Sequence, residues 1–299
     1  MNRFFHRGRL WVTRVVWGLV LVVLAPLPDV LEWLWPGWGR RYAQRNMIRG
    51  VPRLMRDLEI EIDVVGATPR SSEPCVYVCN HRTVFDPVAL FAALGNVRLV
   101  VARPLFEVPI LGRVLRNMDA VAVDTENPHA SVASFDALAR LGLDRSVVIF
   151  PEGRLRTAPR LLPFQTGAFF LAIRAGVPVV PVVVEGTEDA FTAHARNRVA
   201  AFESAEGRQR RLRDRPSRAR WVRIKARLRH LLMPIDEWNA AKVTVRVLDP
   251  IPTDGLTTAD RRLLSSRVRI AMEQALASGR SEPTSLRLLD TPAASGAAG

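Results

Sequence analysis

The chain has 299 residues, of which 48% are hydrophobic and 24% are charged, and this composition excludes a wholly disordered protein. Its 43 Lys and Arg residues outnumber 29 Asp and Glu residues and leave a formal net charge of +14. Such a charge predicts an anionic partner, which is nucleic acid, acidic lipid headgroups or a phosphorylated small molecule.

The first 45 residues differ in composition from the rest and predict a membrane-associated helical segment. An uncharged run extends from Val15 to Pro28, and five of the seven tryptophans (Trp11, Trp17, Trp33, Trp35 and Trp38) lie in this part of the chain. The run is shorter than the roughly 20 apolar residues that cross a bilayer, and tryptophan prefers the membrane interface. We expect helices that dip into one leaflet or lie along it. A single span within residues 10–28 and a helix packed on the core remain alternatives.

Residues 46–280 are predicted to form an α/β domain, because short valine-rich strands alternate with helical patterns. This order is typical of a mixed, mostly parallel sheet that helices cover on both faces. Pro181 lacks the N–H that a ladder needs, so it predicts an edge or bulged position. The predicted strands are 58–64, 75–79, 98–102, 120–123, 146–150, 178–184 and 243–248, and the predicted helices are 87–95, 107–117, 130–141, 165–175 and 258–277.

Two segments differ in character from this pattern. A basic insertion at 203–233 contains eleven Lys or Arg residues and one acidic residue between Arg208 and Arg229. It predicts either a solvated loop or a surface that touches anionic lipid. Residues 281–299 are rich in Ala, Ser, Gly and Pro and predict a disordered tail.

The two cysteines, Cys75 and Cys79, lie in one predicted strand. In an extended strand their Cα atoms would be roughly 13 Å apart, whereas a disulfide needs less than about 7 Å. Free thiols fit a reducing compartment, and without zinc-type spacing of Cys and His we expect no metal site.

His81 and Asp86 follow the second predicted strand and lie five positions apart. A neutral imidazole can take a proton from an attacking hydroxyl, and a carboxylate at its other nitrogen fixes the tautomer and stabilises the imidazolium. The alternatives are a structural histidine and an aspartate that caps the helix beginning near Pro87. From the pair alone, a catalytic site and a structural role both stay open.

Two later stretches also place special residues at strand ends. Phe150–Gly153 follows an apolar run and is followed by Arg154 and Arg156, which suit a phosphate. Val177–Val182 is an apolar strand interrupted by prolines.

In this order and spacing the three stretches resemble the glycerolipid acyltransferase family, whose best-known member acylates lysophosphatidic acid. Asn80, His81 and Asp86 match the family's Asn-His-x4-Asp motif in full. Residues 150–153 match its Phe-Pro-Glu-Gly motif and residues 177–182 its Val-Pro-x-x-Pro-Val motif. A Phe-x-x-Gly-Ala segment at 164–168 is similar as well, and the resemblance covers residues 58–252.

The resemblance implies transfer of a fatty acyl group from acyl-CoA or acyl carrier protein to the hydroxyl of a lysophospholipid such as lysophosphatidic acid, in phospholipid biosynthesis. His81 would be the general base and Asp86 its orienter, with the acyl donor as co-substrate and no other cofactor. We expect the protein at the cytoplasmic membrane, on an anionic surface, with its active site on the cytoplasmic side. The residues expected to bind substrate are Asn80, Arg103, Glu152, Gly153, Arg154 and Arg156.

Departures from the family pattern concern the acceptor. The glycine and arginine of the family's second motif are Asp119 and Thr125 here. Either Arg103, Arg154 and Arg156 take over the phosphate, or the acceptor is different. Lysophosphatidylethanolamine, an amino-acid lipid and a glycolipid precursor are such acceptors.

Two other function classes are disfavoured. A serine hydrolase would need a Gly-x-Ser-x-Gly elbow, which the chain lacks. A non-enzymatic basic protein that binds membranes or nucleic acid on this scaffold would not need intact His81, Asp86 and Glu152. We therefore expect no nucleic acid partner.

Overall fold

A computed structural model describes residues 27–35, 37–66, 73–124, 127–155, 160–190, 239–278 and 286–287. The predictions for Thr125, Arg156, the first 26 residues and the basic insertion fall outside these residues. They stay predictions.

The described residues form seven α-helices, eight strands and three short 3₁₀ turns. The helices are α1 (Leu27–Leu34), α2 (Trp38–Asp57), α3 (Asp86–Leu94), α4 (Pro109–Asn117), α5 (Pro128–Arg140), α6 (Gly167–Ala175) and α7 (Arg261–Ser278). The strands are β1 (Ile60–Val65), β2 (Val76–Cys79), β3 (Arg98–Ala102), β4 (Val121–Val123), β5 (Val147–Ile149), β6 (Val179–Glu185), β7 (Ala241–Val247) and β8 (Leu286–Arg287). The 3₁₀ turns are Arg103–Glu107, Thr187–Ala190 and Thr258–Asp260.

The strands form one sheet in the order β4-β3-β5-β2-β6-β7-β1-β8. The five strands from β4 to β6 are parallel, β6 and β7 are antiparallel, β7 and β1 are parallel, and β8 is antiparallel to β1. Five parallel strands therefore end on the same side, which we call the carboxyl end of the sheet. Sites of open α/β sheets lie outside such an end.

Helices cover both faces of this sheet, as predicted. Alternate residues of β6 belong to different cores, with Val180 and Val182 in one and Val179 and Val183 in the other. This alternation follows from the two-residue period of a strand. The first core includes Met55 of α2 and Leu90 of α3, and the second includes Phe135 of α5, Phe169 of α6 and Met272 of α7.

Pro181 is paired in the middle of the sheet, so the predicted edge position is wrong. Its carbonyl accepts the N–H of Leu248 at 3.0 Å, just beyond the end of β7. The pairs Val182 with Val247 and Val179 with Ile251 leave one extra residue on the partner strand. A proline is tolerated in this interior strand because the bulge on the partner interrupts the ladder beside it.

The prediction of a disordered tail is wrong for Leu286 and Arg287, which form β8. Their backbone pairs with Asp63 and Val64 of β1. Without β8 the strand β1 would leave a row of backbone groups unpaired at the end of the sheet.

The N-terminal helices divide between a buried and an exposed surface. The helix α2 runs continuously across the predicted domain boundary between residues 45 and 46, and it buries Val51 and Met55. Trp33, Trp35 and Trp38 are 81%, 57% and 68% exposed. None of the helices in the described ranges combines the length and apolarity needed to cross a bilayer.

Candidate active site

Asn80 connects the carboxyl end of β2 to the neighbouring strand β6. Its side-chain Nδ2 donates to the carbonyl of Val184 at 2.9 Å, and its Oδ1 accepts the N–H of Val184 at 2.7 Å. The side chain is fully buried. Because both amide groups are used in this way, Asn80 fixes the start of the loop that carries His81.

His81 and Asp86 meet as the motif predicts, with His81 Nδ1 and Asp86 Oδ2 2.9 Å apart. The same Oδ2 accepts the backbone N–H groups of Arg82 at 2.6 Å and Thr83 at 2.8 Å. Asp86 is the first residue of α3, where the helix dipole favours a negative charge. Its carboxylate binds groups of the loop before the helix. These bonds therefore differ from those of a simple helix cap, whose side chain would bind N–H groups of the first turn.

The ring of His81 is held on two sides. It stacks on Phe150, with centroids 4.1 Å apart, and its side chain is 18% exposed. A carboxylate can only accept, so the bond to Asp86 assigns the proton to Nδ1 and leaves the lone pair on Nε2. This tautomer is the one that a general base requires.

Glu152 holds the main chain of His81 from the end of β5. Its Oε1 accepts the N–H of His81 at 3.0 Å, and its Oε2 accepts the N–H of Leu162 at 2.9 Å. The residue is only 4% exposed. Gly153 follows at φ +66°, where a Cβ would lie 2.5 Å from Gln165 Nε2, so the turn requires glycine.

Arg103 and Arg154 lie at the same end of the sheet as His81. Arg103 begins the 3₁₀ turn after β3, and Arg154 lies in the turn after β5. Both are exposed. No ion pair joins either guanidinium to a carboxylate within the described ranges, whereas Arg82 pairs with Glu188 at 2.6 Å.

Asp119 lies at the opposite, amino end of the sheet, just before β4. It has a positive φ of 57° and accepts bonds from Arg98 at 2.5 Å and Arg145 at 3.4 Å. These arginines precede or begin neighbouring strands. The departure from the family's glycine therefore lies away from His81 and carries no information about the acceptor.

Cys79 does not have the properties of a nucleophile. It is fully buried, and burial raises the pKa of its thiol well above the ordinary value, with the Asp86 carboxylate acting in the same direction. Since the thiolate is the reactive form, a neutral buried thiol is inert.

Sequence reasoning missed Thr187, which lies 101 positions after Asp86. Its Oγ1 donates to Asp86 Oδ1 at 2.6 Å, and Thr83 Oγ1 donates to the same oxygen at 3.1 Å. One signal was present in the sequence, because Gly186 and Thr187 directly follow an apolar strand that ends beside the predicted site.

The fold and the site together define an α/β domain with a histidine and aspartate pair at the carboxyl end of a mostly parallel sheet. A histidine whose Nδ1 is held by a carboxylate in this way can chemically take a proton from a hydroxyl group.

Residues 61–185, which include β1 to β6, match the family model described as Acyltransferase. This stretch of the chain is similar to that family, so the resemblance predicted from the motifs is confirmed.

Named relatives agree with this family. The chain is 29% identical over 184 residues to a 1-acyl-sn-glycerol-3-phosphate acyltransferase of Limnanthes alba, covering 60% of this chain and 62% of that protein. It is 27% identical over 217 residues to the human alpha enzyme of the same name, covering 71% of this chain and 62% of that protein. The chain thus spans about three fifths of the length of these relatives.

A solved structure shares the fold. The crystal structure of the 1-acyl-sn-glycerophosphate (LPA) acyltransferase PlsC from Thermotoga maritima superposes with a TM-score of 0.64 at 15% identity. The match covers 94% of this chain and 99% of that one.

Proposed function

We propose that this protein is an O-acyltransferase of phospholipid biosynthesis that transfers a fatty acyl group to the hydroxyl of lysophosphatidic acid. The observation that carries the proposal is the bond between His81 and the buried Asp86 at the carboxyl end of the sheet. The family match and the names of the relatives support the same activity.

In the proposed reaction the acceptor hydroxyl attacks the carbonyl carbon of a thioester while His81 Nε2 takes the hydroxyl proton. The imidazolium that forms is stabilised by Asp86. The tetrahedral intermediate then collapses, the carbon–sulfur bond breaks, and the leaving thiolate receives the proton from His81. No acyl-enzyme is needed, in keeping with the inert thiol of Cys79. The donor is acyl-CoA or acyl carrier protein.

Arg103 and Arg154 are the proposed contacts for the acceptor phosphate, together with Arg156 outside the described residues. Exposed guanidinium groups at the same end of the sheet as the base suit a phosphate, which they bind with two parallel hydrogen bonds. Asn80 and Glu152, by contrast, use their side-chain atoms on the main chain, so we assign them to positioning the loop and not to binding substrate.

We further propose that the protein acts on the cytoplasmic face of the cytoplasmic membrane. Three exposed tryptophans lie on α1 (Trp33), just after it (Trp35) and at the start of α2 (Trp38). The helix α2 also carries the exposed arginines Arg41, Arg45, Arg49, Arg53 and Arg56. Aromatic rings at the headgroup level and basic side chains near anionic lipid both favour attachment to a surface.

The test is an assay of the full chain in detergent with labelled acyl-CoA or acyl carrier protein and a panel of lysolipids. The panel contains lysophosphatidic acid, lysophosphatidylethanolamine, an amino-acid lipid and a glycolipid precursor. We expect transfer to lysophosphatidic acid, and we expect His81→Ala to lower kcat by about 10²- to 10⁴-fold because the general base is lost.

The matched control is Leu141→Ala, an 85% exposed residue after α5 that should leave activity unchanged. If the protein acylates another acceptor of the panel and not lysophosphatidic acid, that acceptor would replace lysophosphatidic acid as the proposed substrate. Full activity of His81→Ala would contradict the proposed role of His81. No transfer to any acceptor of the panel would contradict the proposed acyltransferase activity.

A further inference from the structure

Thr187 lies in the 3₁₀ turn that follows β6. From there it contacts the loop of residues 81–86, which follows a different strand, β2. The residue is fully buried. Its Oγ1 donates to Asp86 Oδ1 at 2.6 Å, a length typical of a hydroxyl bound to an ionised carboxylate. Gly186 precedes it at φ +85°, where a Cβ would lie 2.2 Å from the carbonyl oxygen of Lys242. The backbone is thus specialised to bring Thr187 to this place.

The bond from Thr187 restrains Asp86 in a way that the other bonds do not. Oδ2 is held by His81 and by the N–H groups of Arg82 and Thr83, which all belong to the same loop as Asp86. The hydroxyl of Thr83 on Oδ1 also moves with that loop. Only Thr187, among these partners, connects the carboxylate to the rest of the sheet.

The same turn makes a second connection to the loop. Glu188 Oε1 pairs with Arg82 Nη1 at 2.6 Å, so consecutive residues of the turn hold both ends of the segment between His81 and Asp86. Residues 187 and 188 lie beyond the stretch 61–185 that matches the family model.

We infer that Thr187 is a positioning residue of the acyl transfer, which acts through Asp86 to keep the His81 ring aimed at the acceptor hydroxyl. The inference rests on the proposed function. Without the bond, Oδ1 keeps only the Thr83 hydroxyl of its own loop, so the carboxylate and the loop lose this connection to the turn after β6 and can shift together relative to the acceptor.

The test compares Thr187→Val, which keeps the shape and removes the hydroxyl, with Thr187→Ser, which keeps the hydroxyl. We expect Thr187→Val to lower kcat by about tenfold, because the bond between Asp86 and His81 is then less well directed. The KM values of donor and acceptor should change less than about twofold. Thr187→Ser should recover most of the loss.

Thr253→Val is the matched control, because Thr253 is another buried threonine, whose Oγ1 donates to the carbonyl of Val177 at the amino end of β6. It should leave kcat unchanged. Denaturant unfolding of all three variants shows whether each one folds. A lowered kcat in Thr253→Val as large as in Thr187→Val would overturn the inference.

A double variant separates positioning from general support of the fold. If Thr187 acts through Asp86, then Thr187→Val should not lower the residual kcat of Asp86→Asn further. A further tenfold loss, or an unchanged kcat of Thr187→Val in the wild-type background, would overturn the inference. If the wild-type chain transfers no acyl group, the proposed function itself fails, and this outcome is distinct from both.

Discussion

At the residue scale, Asp86 shows how a buried charge is compensated. Its two oxygens accept five bonds, from His81, Thr187, the hydroxyl of Thr83 and the N–H groups of Arg82 and Thr83. An ionised carboxylate without such partners would be costly to bury.

The sequence predicted the pair but not the roles of its neighbours. His81 and Asp86 are local, so their spacing across one turn was enough to bring them together. Asn80 is held by Val184, which is 104 positions away, and Glu152 by His81, which is 71 positions away. Whether a polar side chain faces a substrate or a main chain depends on such distant partners, and the motif alone does not contain them.

A residue-scale prediction concerns Arg103 and Arg154. If they bind the acceptor phosphate, replacing either with alanine should raise the KM for lysophosphatidic acid by about tenfold, the loss of one charge-assisted contact. The KM for an acceptor without a phosphate monoester should change little, and kcat should stay near that of the wild type. Initial rates at varied acceptor concentration measure both constants.

Arg140→Ala is the control for this pair, because Arg140 is an exposed arginine at the end of α5. An equal rise of KM for all acceptors would indicate a general electrostatic effect. An unchanged KM in both variants would remove them from the phosphate site.

At the scale of elements, the strands were easier to predict than the first long helix. The valine-rich runs of β3 and β6 have a strong strand signal, and β3 begins and ends where predicted. In the N-terminal segment, helices are predicted only up to residue 45, so residues 46–57 of α2 were not predicted. Their signal is an amphipathic pattern in which Ala43, Met47, Val51 and Met55 recur every four residues.

An element-scale prediction concerns the tie between β2 and β6. Asn80→Leu removes both partners of Val184, so a buried N–H and a buried carbonyl lose their hydrogen bonds. Each such loss costs about 1 to 3 kcal/mol. We expect the free energy of unfolding to fall by about 2 to 5 kcal/mol by the same reasoning, measured by denaturant titration.

Asn96→Leu makes the same chemical change at an exposed asparagine before β3 and should alter stability little. If Asn80→Leu were as stable as the wild type, its role as a tie between the strands would be wrong. Loss of activity without loss of stability would instead return Asn80 to the predicted substrate-binding group.

At the scale of the whole molecule, the net charge of +14 predicts that the partner is anionic but does not say which anionic partner it is. The N-terminal part of the described chain contains both exposed tryptophans and the exposed arginines of α2. It also shows that the segment 191–238 leaves from Ala190 and returns at Asn239, whose N–H donates to the carbonyl of Ala190 at 2.9 Å. The arginines of α2 and the basic insertion lie in different parts of the chain, so they can be altered separately.

The whole-molecule prediction is that the exposed tryptophans Trp33, Trp35 and Trp38 supply most of the membrane attachment. We expect the wild type to float with anionic vesicles and to do so less at about 0.5 M salt, where the attraction of the arginines is screened. Replacing Trp33, Trp35 and Trp38 together with glutamine should abolish flotation at the higher salt, because the aromatic contribution does not depend on charge.

Two further proteins make this experiment decisive. Because Ala190 and Asn239, which flank the segment 191–238, are hydrogen-bonded to each other, a short Gly-Ser linker can replace the segment. We expect this deletion to keep most flotation. A triple variant of exposed apolar residues on α5, just after it and on α7 (Val132→Gln, Leu141→Gln and Leu263→Gln) controls for loss of apolar surface in general and should float normally. Flotation that survives the tryptophan changes and disappears with the deletion would move the attachment site to the basic insertion.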